Sequence, residues 1–526
     1  MGEAENGLLE AVRKNALAAP GAPAFRSADG AVTSYAELWG LAGALASALM
    51  RHTRGRGPVL VLGEKDARTV AAFLACLMSG HAFVPVDASL PAARVRDIAG
   101  QIERPVLLST CALPDELRSA LAGCELLDAD GLLREPMGEA PDRRVWVAGD
   151  ETQYVIFTSG STGRPKGIEV SADNVAAFMR WLVGFPVIRD GGRAFLDQAH
   201  YSFDLSEYEL VGALATGGCL CAVGGADEMD FSRLFAGLAA SGLEVWVSTP
   251  SFADLCLADP SFRAGLLPRL RLFLFCGETL HHTTAAALAE RFPDAVIANT
   301  YGPTESTVAV TYGEIGAVEL ADPEPLPVGS PRPGTELWIV DHETGARLPA
   351  GETGEIVICG DTVAKGYYAN PEKTAACFFE MTLADGTPAR GYRTGDLGHL
   401  DGRGVLHCEG RLDSLVKVNG FRIELAEVEG ALEGMAGIEQ AAVVPREARG
   451  RVTSLSAFVV VDRGELARGL GLAGGVPGDF ELSRALKAAL GRTLPSYMVP
   501  RRIRVIDEMP LTANEKIDRR ALASRG

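Results

Sequence analysis

Short apolar runs alternate with amphipathic stretches along most of the chain. Residues 58–62 are apolar, and 66–79 carry a helical spacing that Asp66 can cap and Gly80 can end. Residues 82–86 read as a strand, 92–102 as a helix and 105–108 as another apolar run. Strand and helix in alternation predict a parallel sheet with helices on its faces. Residues 33–38, just before, read as a turn entering a helix.

The alternation resumes beyond residue 167. A helix is predicted from 204 to 215, with Gly217 and Gly218 ending it. Residues 244–248 and 269–276 are strand-like, with a helical segment between them. Residues 283–292 are helical and lead into 295–301. Ligands of such sheets collect beyond the carboxyl ends of strands, so loops 158–167, 276–278 and 299–305 are expected to face one crevice. From about Pro327 the texture changes to short apolar runs broken by turn residues, such as Gly351-Glu-Thr-Gly-Glu355 and Asp401-Gly402, which suggest a small β subdomain. After residue 413 comes a compact tail: a helix over 425–432, a hairpin over 440–461, a helix over 482–490 and a last loop holding Lys516. The Gly/Ala-rich stretch 464–478 reads as a surface loop, and no internal repeat is visible. The expected fold is α/β. A large N-terminal domain (1–412) holds doubly wound sheets and a small β subdomain, and a small α+β domain (413–526) follows.

The densest chemistry lies in Tyr154-Val-Ile-Phe-Thr-Ser-Gly-Ser-Thr-Gly-Arg-Pro-Lys-Gly167. Its first residues form a buried-strand pattern. Thr158, Ser159, Ser161 and Thr162 then interleave with Gly160 and Gly163, and Lys166 adds a point charge. Glycines bring consecutive N–H groups onto an anion and the hydroxyls donate further hydrogen bonds, so this loop should grip phosphate. The plain alternative is a Gly/Ser surface turn. The rival is a GxxxxGK[ST] loop, but Gly167 stands where that loop needs a magnesium-binding hydroxyl, and Pro165 removes a donor.

A chain of 526 residues exceeds one core and implies several domains. With 47% hydrophobic and 22% charged residues it has a globular composition, and no apolar run is long enough to span a bilayer. The acidic N-terminus lacks a signal pattern, and the ten cysteines are scattered without a CxxC, which fits a reducing cytoplasm and argues against disulfides or structural zinc. The formal charge of −18 argues against general nucleic-acid binding. A polyanion such as ATP must be held by local donors, since distant surface charge is screened beyond ~8 Å.

The ordered motifs resemble those of the adenylate-forming superfamily over nearly the whole chain. They include Leu77-Met-Ser-Gly-His-Ala-Phe-Val-Pro-Val-Asp87, the 158–167 loop, Phe203-Asp-Leu-Ser206, Asn299-Thr-Tyr-Gly-Pro-Thr-Glu305 and Gly354-Glu-Ile-Val-Ile-Cys-Gly360. Tyr392-Arg-Thr-Gly-Asp396, Gly410-Arg-Leu-Asp413, Leu494-Pro-Ser-Tyr-Met-Val-Pro500 and Asn514-Glu-Lys-Ile-Asp518 continue the series. Within that superfamily Ser248-Thr-Pro-Ser-Phe252, Leu274-Phe-Cys-Gly-Glu278 and Thr304-Glu-Ser-Thr-Val-Ala-Val310 are similar to the D-alanine–D-alanyl carrier protein ligases.

The resemblance implies activation of a small amino acid, D-alanine favoured, by ATP and Mg2+. The aminoacyl group then passes to the phosphopantetheine thiol of a separate carrier protein, with neither nucleic acid nor membrane span involved. It implies that the 158–167 loop holds the β- and γ-phosphates and that Tyr301 stacks on adenine near Asn299 and Gly277. Thr304 would donate to the α-phosphate, Glu305 would hold magnesium, and Asp396 with Arg411 would hold the ribose. Asp204 would pair with the substrate ammonium, where the plainer alternative is a helix N-cap. Cys276, otherwise a small buried hydrophobe, would sit by the substrate Cα. Leu205, Tyr208, Leu274, Thr300, Gly302 and Val308 would close a pocket about one methyl in size. Lys516 would stabilise the developing charge, Asp413 would be the hinge of a mobile tail, and Gly420 would open the thiol tunnel. The chain departs from the family at Glu515, at His200 and Tyr201, and at Glu207 and Tyr208. Alternatives remain: L-alanine, serine, glycine or a β-amino acid loaded in a polyketide or peptide pathway, a coenzyme A ligase, or an inactive nucleotide-binding protein.

Overall fold

The computed structural model describes residues 5–136, 140–160, 164–223, 231–412, 415–448, 451–472, 477–511 and 517–525. Ser161, Thr162, Gly163, Asp413, Glu515 and Lys516 lie outside the described residues.

The predicted βα alternation builds two sheets. A seven-stranded sheet places Thr152–Thr158, Phe83–Asp87, Val59–Gly63, Val106–Ser109 and Glu125–Asp128 side by side in parallel. Lys166–Ser171 and Gly366–Tyr367 are antiparallel at one edge. A nine-stranded sheet holds a parallel run from Pro23–Arg26 through Cys219–Ala222, Ala194–Asp197, Val245–Ser248 and Leu272–Phe275 to Val296–Asn299, with antiparallel strands at both ends. Helices Tyr35–His52 and Ala67–Met78 bury Leu38, Leu45, Phe73 and Leu77 in one apolar core with Val61 and Tyr154 of the first sheet and Phe195 and Val245 of the second. Apolar burial on both faces accounts for the near-continuous hydrophobic strands.

Local signals fix several boundaries. Asp66 caps its helix by accepting from Thr69 N at 2.8 Å. The Ser34–Glu37 capping box starts the helix at Tyr35, and Val32–Ser34 is a short strand where a turn was expected. The helix expected at 204 begins at Ser206 and ends at Gly217, because Asp204 does not cap it and Leu205 occupies the N-cap. Residues 463–469 correct the surface-loop expectation. They form helix Arg463–Gly469, capped by Asp462 and anchored by buried Leu466 and Ala467, so two apolar contacts and a cap outweigh Gly464.

Beyond these layers, Thr335–Val340, Gly354–Gly360, Pro388–Leu400, Phe378–Thr382 and Leu406–Arg411 form a five-stranded antiparallel sheet. In the tail, the hairpin Leu415–Val418/Phe421–Glu424 precedes helix Leu425–Glu433 and a three-stranded sheet. That unit has its own core, with Ile423, Val428, Leu455, Leu482 and Leu486. No helix among the described residues is long and apolar enough to cross a membrane.

Candidate functional site

Lys166 of loop 158–167 meets Glu305 of loop 299–305, and Cys276 and Gly277 share a cavity with 302–304, so the three loops are linked, but from different sheets. The first leaves the seven-stranded sheet and the other two leave the nine-stranded one, so the crevice lies between them. Thr158 pairs with Lys166 across the mouth of the first loop. A Cβ on Gly160 would stand 2.1 Å from Arg164 O, so no side chain fits there. Lys166 is buried with Nζ 3.2 Å from Glu305 Oε1. Burial, with Arg422 nearby, lowers its ammonium to about 8. Glu305, fully buried, also accepts from Tyr367 OH and from Arg422 Nη1, each at 2.9 Å. Burial alone would raise its carboxyl, but Arg422 and Lys166 hold it well below the usual range. The Thr158 hydroxyl is buried with no partner among the described residues.

Across the crevice a cavity of about 40 Å³ is lined by Asp204, Leu205, Cys276, Gly302, Thr304 and Val308. Asp204 is buried, its Oδ2 has no hydrogen-bond partner among the described residues, and burial pushes its carboxyl up to about 7. Glu207, in the first turn of the helix that follows, is buried too and pushed up to about 8 by burial and by Asp204. Cys276 Sγ lies 3.8 Å from Val308 O, and burial raises its thiol. Gly277 sits beside it at φ +92°, a left-handed conformation that strains any L side chain. Tyr208, Leu274 and Thr300 stand behind this wall. Tyr208 OH donates to Thr300 Oγ1 at 3.1 Å, Thr300 donates to Phe275 O at 2.7 Å, and Leu274 is wholly buried.

The same cavity reaches Gly277, Asp396 and Arg411. Tyr301 OH donates to Asp396 Oδ2 at 2.6 Å, and Arg411 holds the other carboxylate oxygen and Thr394 O. Asn299 donates to Pro327 O at 2.8 Å and leaves its Oδ1 buried with no partner among the described residues. One cavity thus runs from Asp204, Leu205 and Cys276 at one end to Asp396 and Arg411 at the other.

The tail completes the crevice. Lys417, Gly420 and Arg422 of its hairpin line the cavity. Gly420 N donates to Glu278 Oε1 at 2.6 Å, and Phe421 stacks on Tyr497 at 3.8 Å. Ser159 Oγ donates to Arg422 O at 2.6 Å and accepts from Glu424 N at 3.1 Å. Gly160 N donates to Glu427 Oε2 at 3.0 Å, while Glu427 Oε1 pairs with Arg94 Nη1 at 2.5 Å. Sequence reasoning assigned no role to Arg94, Glu278 or Glu427. Glu278 closes the Leu274-Phe-Cys-Gly-Glu278 motif, which is a usable signal. Arg94 and Glu427 lie in ordinary amphipathic helices, and nothing local distinguishes them from solvated charges. A second cavity, of about 360 Å³, opens beside Gly160 and Lys166 and is rimmed by Arg164, Asn370 and Lys373. Among the described residues no three His, Cys, Asp or Glu side chains cluster as a metal cage.

This gathering of a Gly/Ser loop, a buried lysine–glutamate pair and a docked tail agrees with the sequence comparisons. Residues 12–368 match the AMP-binding enzyme family and residues 427–516 match the C-terminal domain of AMP-binding enzymes. The chain belongs to the AMP-binding enzyme family. It is 40% identical to a D-alanine–D-alanyl carrier protein ligase of Listeria monocytogenes and 40% identical to one of Bacillus velezensis, over 98% of each chain in both cases. In fold it is similar to the holo form of an NRPS protein containing adenylation and PCP domains bound to a vinylsulfonamide inhibitor. The TM-score is 0.82 at 26% identity, covering 98% of this chain and 84% of that one. An o-succinylbenzoate CoA synthetase from Bacillus subtilis bound with a product analogue shares the fold at a TM-score of 0.82 and 20% identity, covering 98% of each chain.

Proposed function

We propose that this chain uses ATP to activate a small amino acid, D-alanine by preference, as aminoacyl-AMP and passes it to the phosphopantetheine thiol of a separate carrier protein. The observation that carries this reading is Asp204, a buried carboxylate with an unpartnered oxygen facing a cavity of about 40 Å³. A substrate ammonium would complete it. The names of the 40%-identical relatives point the same way. Cys276 against Val308, with Leu205 and Gly302, lines a small cavity, which suits a side chain about one methyl in size. Selection by that methyl alone is worth only ~1–3 kcal/mol, so glycine or serine is expected to compete.

In this reading Gly160 N–H, Thr158 and Lys166, with Ser159, Ser161, Thr162 and Gly163, hold the β- and γ-phosphates. Tyr301 faces adenine, with Asn299 and Gly277 at the base edge, and Asp396 and Arg411 hold the ribose. Thr304 donates to the α-phosphate. Glu305, buried and held anionic, would hold a Mg2+ ion once the tail withdraws Arg422 from its Oε2; bound there, the ion would neutralise phosphate charge. The substrate carboxylate attacks the α-phosphorus and pyrophosphate leaves, with Lys516 stabilising the charge that develops. Held partners need no side-chain nucleophile. The thiol then attacks the acyl carbonyl and AMP leaves.

The tail, residues 413–526, would pivot at Asp413 between these steps, exchanging Lys516 for the hairpin that carries Gly420. The hairpin's place on the cavity wall supports the second arrangement. The cysteines are all free, which suits the cytoplasm. Similarity to an adenylation–PCP protein at 26% identity favours a second reading, loading of L-alanine, serine, glycine or a β-amino acid in a peptide or polyketide pathway. Pyrophosphate exchange into ATP, measured with both alanine enantiomers, tests the proposal. Exchange should depend on alanine, and Lys516→Ala should lose it while ATP still binds. Formation of ADP would overturn the reading.

A further inference from the structure

We propose that Glu427, clamped by Arg94, is a positioning residue for thiol transfer: its carboxylate takes the phosphate-loop donor that pyrophosphate must vacate, so the tail docks only after that anion has left. This inference rests on the two-step reaction proposed above.

Glu427 stands in the first turn of helix Leu425–Glu433 and is 1% exposed. Both of its oxygens are satisfied by the other domain, Oε2 by Gly160 N at 3.0 Å and Oε1 by Arg94 at 2.5 Å. Arg94, on helix Ala92–Ala99, is 5% exposed. Glu429, two residues on, shows the contrasting role. It accepts from Val443 N at 2.7 Å and pairs with Arg519, so it serves the tail's own packing.

A buried carboxylate is retained only where charge and hydrogen bonds compensate its desolvation, and in this arrangement Glu427 finds both in the other domain. The donor it uses is an amide of the Gly-rich loop, which is built to meet an anion. One N–H meets one close oxygen, so the carboxylate and a phosphate oxygen are alternative occupants. Ser159, next to Gly160, is likewise engaged by Arg422 O and Glu424 N. The docked tail therefore puts its own polar groups on the loop's donors, and any diphosphate there opposes docking.

The test separates the half-reactions in the full chain. Enzyme carrying alanyl-AMP, freed of pyrophosphate by pyrophosphatase, is mixed with pantetheine and thioester formation is timed; exchange is measured in parallel. In Glu427→Gln, nearly isosteric, transfer should slow at least about tenfold more than exchange, because the buried charge that Arg94 pairs with is gone. Arg94→Ala should reproduce the split. Methylenediphosphonate, a non-hydrolysable diphosphate, should slow transfer in the unmodified chain and should do so at lower concentration in Glu427→Gln, where the competing carboxylate is gone. Equal loss of exchange and transfer in both variants, or transfer indifferent to methylenediphosphonate, would overturn the proposal. Absence of exchange in the unmodified chain with every small amino acid would instead remove the activity reading itself.

Discussion

Asp204 and Glu207 are acids that the fold holds where ionisation is costly, which gives the ligand-free protein a definite pH response. Burial raises Asp204 from 3.8 to about 7 and Glu207 from 4.5 to about 8. The folded state therefore binds more protons than the unfolded one between about pH 4 and 8, and stability falls as pH rises through that window. An ammonium ligand pairs with the ionised form of Asp204. The increase in Tm on adding alanine should accordingly be larger at pH 8 than at pH 6. By the same logic kcat/KM for the amino acid should fall below about pH 7, where Asp204 is neutral in the free enzyme, and kcat/KM for ATP should fall less. Asp204→Asn should flatten the amino-acid profile and raise amino-acid KM well above any change in ATP KM; equal changes would remove the ammonium role. At Cys276 the effect is steric. Cys276→Ala enlarges a pocket that discriminates by shape, and the ratio of kcat/KM between alanine enantiomers should shrink by about tenfold or more.

At the scale of elements, the turn of the tail's hairpin is tightly constrained. Gly420 has φ +85°, and a Cβ there would stand 2.4 Å from Thr249 Cγ2. Left-handed backbone costs a non-glycine residue roughly 1–2 kcal/mol before any clash. Gly420→Ala should lower the ratio of thioester transfer to exchange, and Thr249→Ser, which removes the offending methyl, should recover part of it. No recovery would mean that backbone strain alone is responsible. The elements themselves were largely legible in the sequence, because Asp66, the Ser34–Glu37 box and Gly217 act through neighbours a few residues away. Arg463–Gly469 was missed because its stabilising contacts, at Leu466 and Ala467, depend on tertiary packing that composition cannot report. The site was legible where chemistry is concentrated in one loop, as at 158–167. It was opaque where one bond joins distant helices: 333 residues separate Arg94 from Glu427, and each looks like a surface charge on its own helix.

For the whole molecule the important division is between the contacts that make each domain and those that fasten the tail. The two sheets share one apolar core, whereas the tail's core is separate and meets the site through hydrogen bonds to Ser159, Gly160 and Glu278 and through Phe421 beside His200 and Phe203. One fastening lies away from the crevice. Arg451 pairs with Asp254 and donates to Thr284 Oγ1 at 2.7 Å, and Thr284 in turn donates to Asp254 at 2.6 Å. The Asp254 side chain is 37% exposed, so the pair is largely screened and should contribute at most ~1 kcal/mol. Arg451→Ala should therefore slow thioester transfer by no more than about fivefold. Raising the salt should narrow the gap between Arg451→Ala and the unmodified chain, since the Debye length shrinks to ~3 Å at 1 M. The buried Arg94–Glu427 pair is shielded from salt, so a Glu427→Gln deficit should persist under the same conditions. Measuring both variants across a salt series thus separates surface fastening from occupancy of the phosphate loop. Equal salt sensitivity of the two deficits would mean that the buried pair, too, acts only as a surface tether.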